Sequence, residues 1–266
     1  MNKSSKFLFS LNQKTVFFLD IDGTLLIGDK IIDGVSNFLM QLKARNKQIF
    51  ILTNNSSMTP DEHFYRLKKC GLLVDKQNVL VSIQSALDHL KTNHLTNVFW
   101  CASKKVSEFI ESEGLNYDEK NPHAVLLTYD TEINYAKLVK ITKLLRTGIP
   151  YFATHPDMLC PHPEGALPDI GCFIQLIHHA TQRKPDQIFG KPHTALIDLQ
   201  LTKLGKTKED AVMIGDRLYT DIQMAINAGI SSILVTTGET TSEAYINSDI
   251  KADLILDNLS LINLWL

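Results

Sequence analysis

The sequence predicts an α/β protein in which a parallel sheet flanked by helices is interrupted by a second α/β unit. Three observations lead there. Short apolar runs rich in Val, Ile and Phe alternate with stretches of helical period, the pattern of strands joined by crossover helices. The alternation restarts near Leu90, and after Lys184 a pattern like the first one returns. A length of 266 residues accommodates one large domain or two small ones.

The first strand is 16–19. Val35, Phe38, Leu39 and Leu42 then follow the i, i+3, i+4, i+7 spacing of an amphipathic helix, and 49–52 is a second buried strand that completes a βαβ unit. In the next helix Thr59 is placed to cap, Pro60 fits the first turn, Glu62 completes a capping box and Gly71 ends the helix. Residues 79–81 give a third strand. The inserted unit reads as strand 98–101, a helix through Val106, Phe109 and Ile110, strand 125–127, a helix through Leu138 and Leu145, and strand 151–154. A Pro-rich loop over 155–168 and a helix through Ile174 and Ile177 complete it. After Lys184 come a helix over 193–204, a strand at 212–214, a helix through Ile222 and Ile226, and a strand at 230–235. The interrupted core therefore comprises 1–89 and 184–266, and the insertion 90–183.

Composition narrows the function. Lys and Arg number 27 against 29 Asp and Glu, a net charge of −2, so the chain lacks the basic surplus of a protein that binds nucleic-acid polymers. Hydrophobic residues at 44% and charged residues at 21% fit a soluble globular protein, and no apolar run nears the roughly 18 residues of a membrane span. The N-terminal apolar stretch, 7–11 with 16–19, is broken by Asn12, Gln13 and Lys14 and runs into Asp20, so it reads as a strand and not as an export signal. Cys70, Cys101, Cys160 and Cys172 form no C-x-x-C pair. That spacing supports neither a zinc knuckle nor a disulfide framework and points to a reducing, cytoplasmic location.

The sharpest motif is Asp20-Ile21-Asp22-Gly23-Thr24, directly after the first strand. Carboxylates at i and i+2 on extended backbone face the same side, and Gly23 frees the chain to turn and lets its N–H approach an anion. The same pattern also closes strands as an Asx turn. Three further polar clusters follow apolar runs, at the strand ends where open α/β sheets bind ligands. Thr53-Asn54-Asn55-Ser56-Ser57 offers hydroxyl and amide groups suited to phosphate oxygens, or to an ordinary polar loop. Gly190-Lys191-Pro192 follows Ile188 and Phe189 and brings a Lys that can offset anionic charge. In Gly215-Asp216-Arg217-Leu218-Tyr219-Thr220-Asp221, Asp216 ends a strand, and Asp221 opens the next helix, where an acid also serves as a cap. Together these residues supply hard oxygen donors for Mg²⁺ and a cation for a transferred phosphoryl group. Gly205-Lys206-Thr207 is not a P-loop, because the position five before Gly205 is Gln200.

The ordered set D-x-D-G-T, a Thr after the second strand, G-K-P and G-D-R-x-x-T-D resembles the haloacid dehalogenase superfamily of aspartyl-nucleophile phosphatases over nearly the whole chain. The place of the insertion, with Thr53-Asn54-Asn55-Ser56-Ser57 and His155-Pro156-Asp157, resembles the NagD-like branch. This resemblance implies a Rossmann-like core, an α/β cap and Mg²⁺-dependent hydrolysis of a small phosphomonoester of nucleotide, sugar phosphate, phosphoglycolate or para-nitrophenyl phosphate type. It implies Asp20 as nucleophile, Asp22 as acid and base, and Lys191 as the cation holding nucleophile and phosphate together. Gly23, Thr53 and Asn54 would bind the phosphoryl oxygens. Mg²⁺ would be held by Asp20, the main-chain carbonyl of Asp22 and Asp216, with Asp221 in an outer position. In the cap it singles out Asp130, His155 and Asp157 as substrate contacts, residues that also suit capped turns, and it implies a homodimer through the cap. Asp22 favours ester hydrolysis, because the dehalogenases of the superfamily lack an acid two residues after the nucleophile. The alternative of another class is a non-catalytic sensor or scaffold for phosphorylated ligands on the same fold.

Overall fold

The structure, a computed structural model, describes residues 11–162 and 164–264. Residues 7–10 of the N-terminal apolar stretch lie outside that range, and Leu11 at its end is buried. The chain forms two compact units. Among the described residues one takes 11–52, His63–Leu80 and 191–264; the other takes Thr53–Glu62 and Val81–Gly190.

The first unit begins with β1 (Val16–Leu19), whose four residues are all buried. A small antiparallel hairpin follows, β2 (Leu26–Ile27) with β3 (Lys30–Ile31). The helix Val35–Ala44 buries Val35, Phe38, Leu39 and Leu42, the four positions its spacing predicted. β4 (Gln48–Thr53) and β5 (Val79–Val81) complete this half of the sheet. The helix Pro60–Lys69 starts on the expected capping box: Glu62 N–H donates to Thr59 Oγ1 at 3.2 Å and Thr59 N–H to Glu62 Oε2 at 3.0 Å.

The second unit is a five-stranded sheet of β6 (Asn97–Cys101), β7 (Asn116–Tyr117), β8 (Ala124–Leu127), β9 (Tyr151–Ala153) and β12 (Gln187–Ile188), paired in parallel in the order β12-β9-β8-β6-β7. A hairpin of β10 (Leu159–Cys160) and β11 (Leu167–Pro168) lies within the stretch expected as a plain loop. One sheet face buries Phe99, Cys101, Val125, Leu127, Tyr151 and Ala153 with Ile141 and Leu145 of the helix Tyr135–Leu145 and Ile170, Ile174 and Ile177 of the helix Ile170–Thr181. The unit is wider than 90–183. The helix Ser82–Thr92 belongs to it, and so does β12, because Gln187 and Ile188 pair with Phe152 and Ala153 of β9.

The chain then returns to the first unit through the helix Ala195–Leu204, β13 (Ala211–Gly215), β14 (Ser231–Val235) and β15 (Leu254–Leu256). The six-stranded order is β15-β14-β13-β1-β4-β5, the doubly wound pattern in which successive strands step outward first on one side of β1 and then on the other. Both faces of the sheet are covered. Phe18 stacks on Phe50 in a cluster with Leu196, Ile197 and Leu201, while Phe17 meets Phe38 edge-on at 6.2 Å on the opposite face. The helix expected through Ile222 and Ile226 is two pieces, a π-helical turn Leu218–Ile222 and the helix Gln223–Ala228.

Candidate active site

The strand order reverses between β1 and β13, and that junction places the acids. The two strands are parallel and in register, Leu19 opposite Ile214, and Asp20 N–H donates to the Ile214 carbonyl at 3.0 Å. Asp20 therefore leaves β1 beside the place where Asp216 leaves β13, at the strand-end crevice where open α/β sheets bind ligands. Asp221 joins them from the π-helical turn, where its Oδ2 accepts the Arg217 N–H at 3.0 Å. A Cβ on Gly215 would lie 2.2 Å from Asp221 Cγ, so only glycine ends β13 with this acid folded back against it. Oxygens of Asp20, Asp216 and Asp221 lie within 4.8 Å of one another, and all three residues are buried.

Lys191 is the cation of the group. Its ammonium is ion-paired with Asp20 and, at 2.6 Å, with Asp221 Oδ1. Burial alone would lower its pKa, but the two carboxylates more than reverse that, so it remains an ammonium. Three acids against one base leave an excess of negative charge away from water. Burial pushes Asp20 up to about 7 although Lys191 opposes it, and Asp221 adds to the rise. Asp216 is raised well above the ordinary carboxyl value by burial and then by the charges of Asp20 and Asp221. A buried, oxygen-only, over-negative set of this kind fits a hard divalent cation.

Several expectations change at atomic detail. Gly23 was expected to offer its N–H to an anion, yet that N–H donates to the Leu26 carbonyl at 2.8 Å. The residue must be glycine for another reason: φ is +94°, and a Cβ there would lie 2.4 Å from Asp216 Oδ2. Lys191 was expected after a strand of the core sheet, but the strand before it is β12, which pairs in the other unit. Sequence reasoning quoted Thr24 within the D-x-D-G-T motif without giving it a role, and it missed Gly238 and Arg66. Thr24 donates to Asp216 Oδ1 at 3.4 Å, the Glu239 N–H donates to Asp216 Oδ2 at 2.7 Å, and a Cβ on Gly238 would lie 2.0 Å from that oxygen. A polar cluster after an apolar strand was the signal used elsewhere, and Thr236-Thr237-Gly238-Glu239-Thr240 after β14 carries the same signal. Arg66 Nη2 donates to Asp22 Oδ1 at 2.8 Å.

The remaining predicted residues belong to the second unit. Thr53 closes β4, and its Oγ1 accepts the Asn55 N–H at 3.1 Å, which leaves the hydroxyl hydrogen to donate elsewhere. Asn54 Nδ2 donates to Asp157 Oδ1 at 3.0 Å. Asp130 is fully buried, pairs with Lys137 at 2.6 Å and accepts the Glu132 N–H, so its bonds hold its own turn. His155 is also fully buried, between Thr154 Oγ1 at 3.1 Å and Asp169 Oδ1 at 3.0 Å. Thr154 in turn bonds Ser56 at 2.8 Å, so a buried polar chain runs from Asp169 to the polar loop after β4.

Comparison with known proteins agrees with this geometry. Residues 17–116 match the family model of haloacid dehalogenase-like hydrolases, and residues 188–262 match a second, HAD-hydrolase-like model. The chain is 30% identical over 229 residues to an acid sugar phosphatase of Staphylococcus haemolyticus, a match covering 85% of this chain and 87% of that protein. It is 30% identical over 223 residues to a dihydroxyacetone phosphatase of Corynebacterium glutamicum, covering 84% of this chain and 81% of the relative. Among solved structures, a 4-nitrophenylphosphatase of Thermotoga maritima superposes with a TM-score of 0.92 at 39% identity, covering 96% of this chain and 98% of that one. A putative NagD protein gives 0.89 at 38% identity, covering 95% and 98%. Two family models, full-length relatives and a Rossmann-like core with its acids at the strand-order reversal agree: the chain belongs to the haloacid dehalogenase-like hydrolases, and within them to the NagD-like phosphatases.

Proposed function

We propose that this phosphatase hydrolyses small phosphomonoesters, sugar and triose phosphates foremost, through an aspartyl-phosphate on Asp20 and with Mg²⁺ as cofactor. The observation that carries this reading is the buried Lys191 ammonium paired to both Asp20 and Asp221, with Asp216 alongside. An Asp20 oxygen attacks phosphorus as the bond to the ester oxygen breaks, and Asp22 gives that leaving oxygen its proton. Asp22 then takes a proton from water, the resulting oxygen attacks phosphorus, and phosphate departs as Asp20 is restored. Lys191 keeps Asp20 oriented and offsets phosphoryl charge. Thr53 and Asn54, at and just after the carboxyl end of β4, bind the phosphoryl oxygens. Asp20, Asp216 and the main-chain carbonyl of Asp22 would hold Mg²⁺, with Asp221 outside that set through Lys191. When bound, the ion supplies charge stabilisation for the phosphoryl group in flight.

The names of the relatives support the substrate class: an acid sugar phosphatase, a dihydroxyacetone phosphatase and a 4-nitrophenylphosphatase. Asp20→Asn is expected to abolish metal-dependent phosphate release from para-nitrophenyl phosphate and from dihydroxyacetone phosphate while circular dichroism stays native. Residual turnover at the wild-type rate would remove Asp20 from the mechanism. Exposed Met158, Leu159, Leu167 and Leu176 support a homodimer through the second unit, which sedimentation measures directly. The scattered spacing of Cys70, Cys101, Cys160 and Cys172 supports a reducing, cytoplasmic compartment.

A further inference from the structure

Arg66 lies near the end of the helix Pro60–Lys69, and its guanidinium reaches three points on the segment that follows β1. Nη2 donates to Asp22 Oδ1 at 2.8 Å and to the Gly28 carbonyl at 2.7 Å, and Nε donates to Asp29 Oδ1 at 3.2 Å. Gly28 and Asp29 form the turn between β2 and β3, and Asp22 is itself bridged to Leu26 of that hairpin. One planar fork thus ties the second acid of the D-x-D pair to the tip of the hairpin after it, a geometry a Lys could not reproduce with one nitrogen. The Arg66 and Asp22 side chains are only 19% and 23% exposed, so the pair is partly shielded from water. All of these residues lie in the first unit.

The pairing is one-sided. Among the described residues the Asp22 carboxyl is bonded through Oδ1 alone. We infer that Arg66 is a positioning residue for proton transfer: by anchoring Oδ1 of Asp22 it fixes the carboxyl plane and keeps Oδ2 free to exchange the proton. As the bond from phosphorus to the ester oxygen breaks, that oxygen receives the bonding pair and then the Oδ2 proton. The carboxylate left behind faces the guanidinium, which accommodates the new charge without moving. The same fixed carboxylate then accepts the proton of the attacking water. This inference rests on the reading of Asp22 as acid and base.

Leaving-group dependence separates this role from a structural one. An alkoxide leaves only when protonated, whereas para-nitrophenolate leaves without help, so loss of a positioned proton donor lowers kcat/KM on alkyl esters alone; loss of the base that activates water is common to both esters and is read in kcat. Arg66→Ala is expected to lower kcat/KM for glycerol phosphate by about 10- to 100-fold and for para-nitrophenyl phosphate by less than about threefold. Arg66→Lys should fall between wild type and Arg66→Ala on the alkyl ester, and it serves if the alanine variant does not fold. Asp22→Asn is the control for the underlying reading and should show the same selectivity more strongly. Equal losses of kcat/KM on both esters for Asp22→Asn would overturn the acid–base reading itself. A selective Asp22→Asn beside an Arg66 variant that is silent, or equally impaired on both esters, would overturn the role of Arg66 alone.

Discussion

Asp216 accepts hydrogen bonds from Thr24 and from the Glu239 amide and is walled by Gly23 and Gly238, so its position is over-determined. Its charge is nevertheless unfavourable there, since burial and the neighbouring Asp20 and Asp221 both oppose ionisation. Function and stability therefore pull apart at this residue. Asp216→Asn keeps an acceptor for the Glu239 amide and removes one negative charge, so without divalent ions it should raise unfolding free energy by about 1 kcal/mol in a urea titration. The same substitution should cut phosphatase turnover by about 100-fold or more. A less stable, fully active variant would contradict both statements. The D-x-D-G-T motif was legible as a polar cluster directly after a buried strand, although only Asp20 of its two acids joins Asp216 and Asp221, while Asp22 is held by Arg66. Arg66 was not legible, because a lone arginine on a helix carries no mark of the carboxylate it meets 44 residues away.

β13 illustrates what an element contributes. Its buried residues Ala211–Gly215 set the register against β1, and its last residue must lack a side chain for Asp221 to fold back. Gly215→Ala forces a methyl into the Asp221 carboxylate, so we expect destabilisation of about 2 kcal/mol by thermal melting and loss of most activity. An alanine variant with wild-type melting temperature and turnover would show that the π-helical turn yields freely. Periodicity located β13, β1 and the helix Val35–Ala44 because each hides a full face. It overlooked the helix Ser82–Thr92, although Ile83, Ala86, Leu87 and Leu90 follow helical spacing and are all buried. Two-residue strands such as β2, β3, β10 and β11 are too short to show a period at all.

The acids of the first unit couple its stability to pH and to metal. Asp20 in the folded state, at about 7, lies above its ordinary value of 3.8, so between those values the folded chain holds a proton that the unfolded chain has released. Stability of the metal-free protein therefore falls as pH rises through that window. In a chelator the melting temperature should be higher near pH 5 than near pH 8. On the proposed reading Mg²⁺ would bind the ionised form of the folded chain, so it should raise the melting temperature most at the higher pH, adding about 2.7 kcal/mol of stability at a hundred times its dissociation constant. Melting curves with the same pH profile in chelator and in Mg²⁺ would refute the link between the acidic cluster and the ion. Among the described residues no helix is long and apolar enough to cross a membrane.

By itself the sequence determined the α/β class, the order of the long elements and the acids at strand ends. Those follow from local rules, since a buried strand or helix face must be apolar at its own period and a ligand-binding acid must interrupt it. Tertiary structure decided the rest. It gave β12 to the second sheet, turned Gly23 from an anion donor into the space that Asp216 requires, enclosed His155 and Asp130 in bonds of their own unit, and set Arg66 against Asp22. Each of these depends on which distant segments meet, and a register or a missing Cβ acquires its meaning only from the neighbour it is packed against.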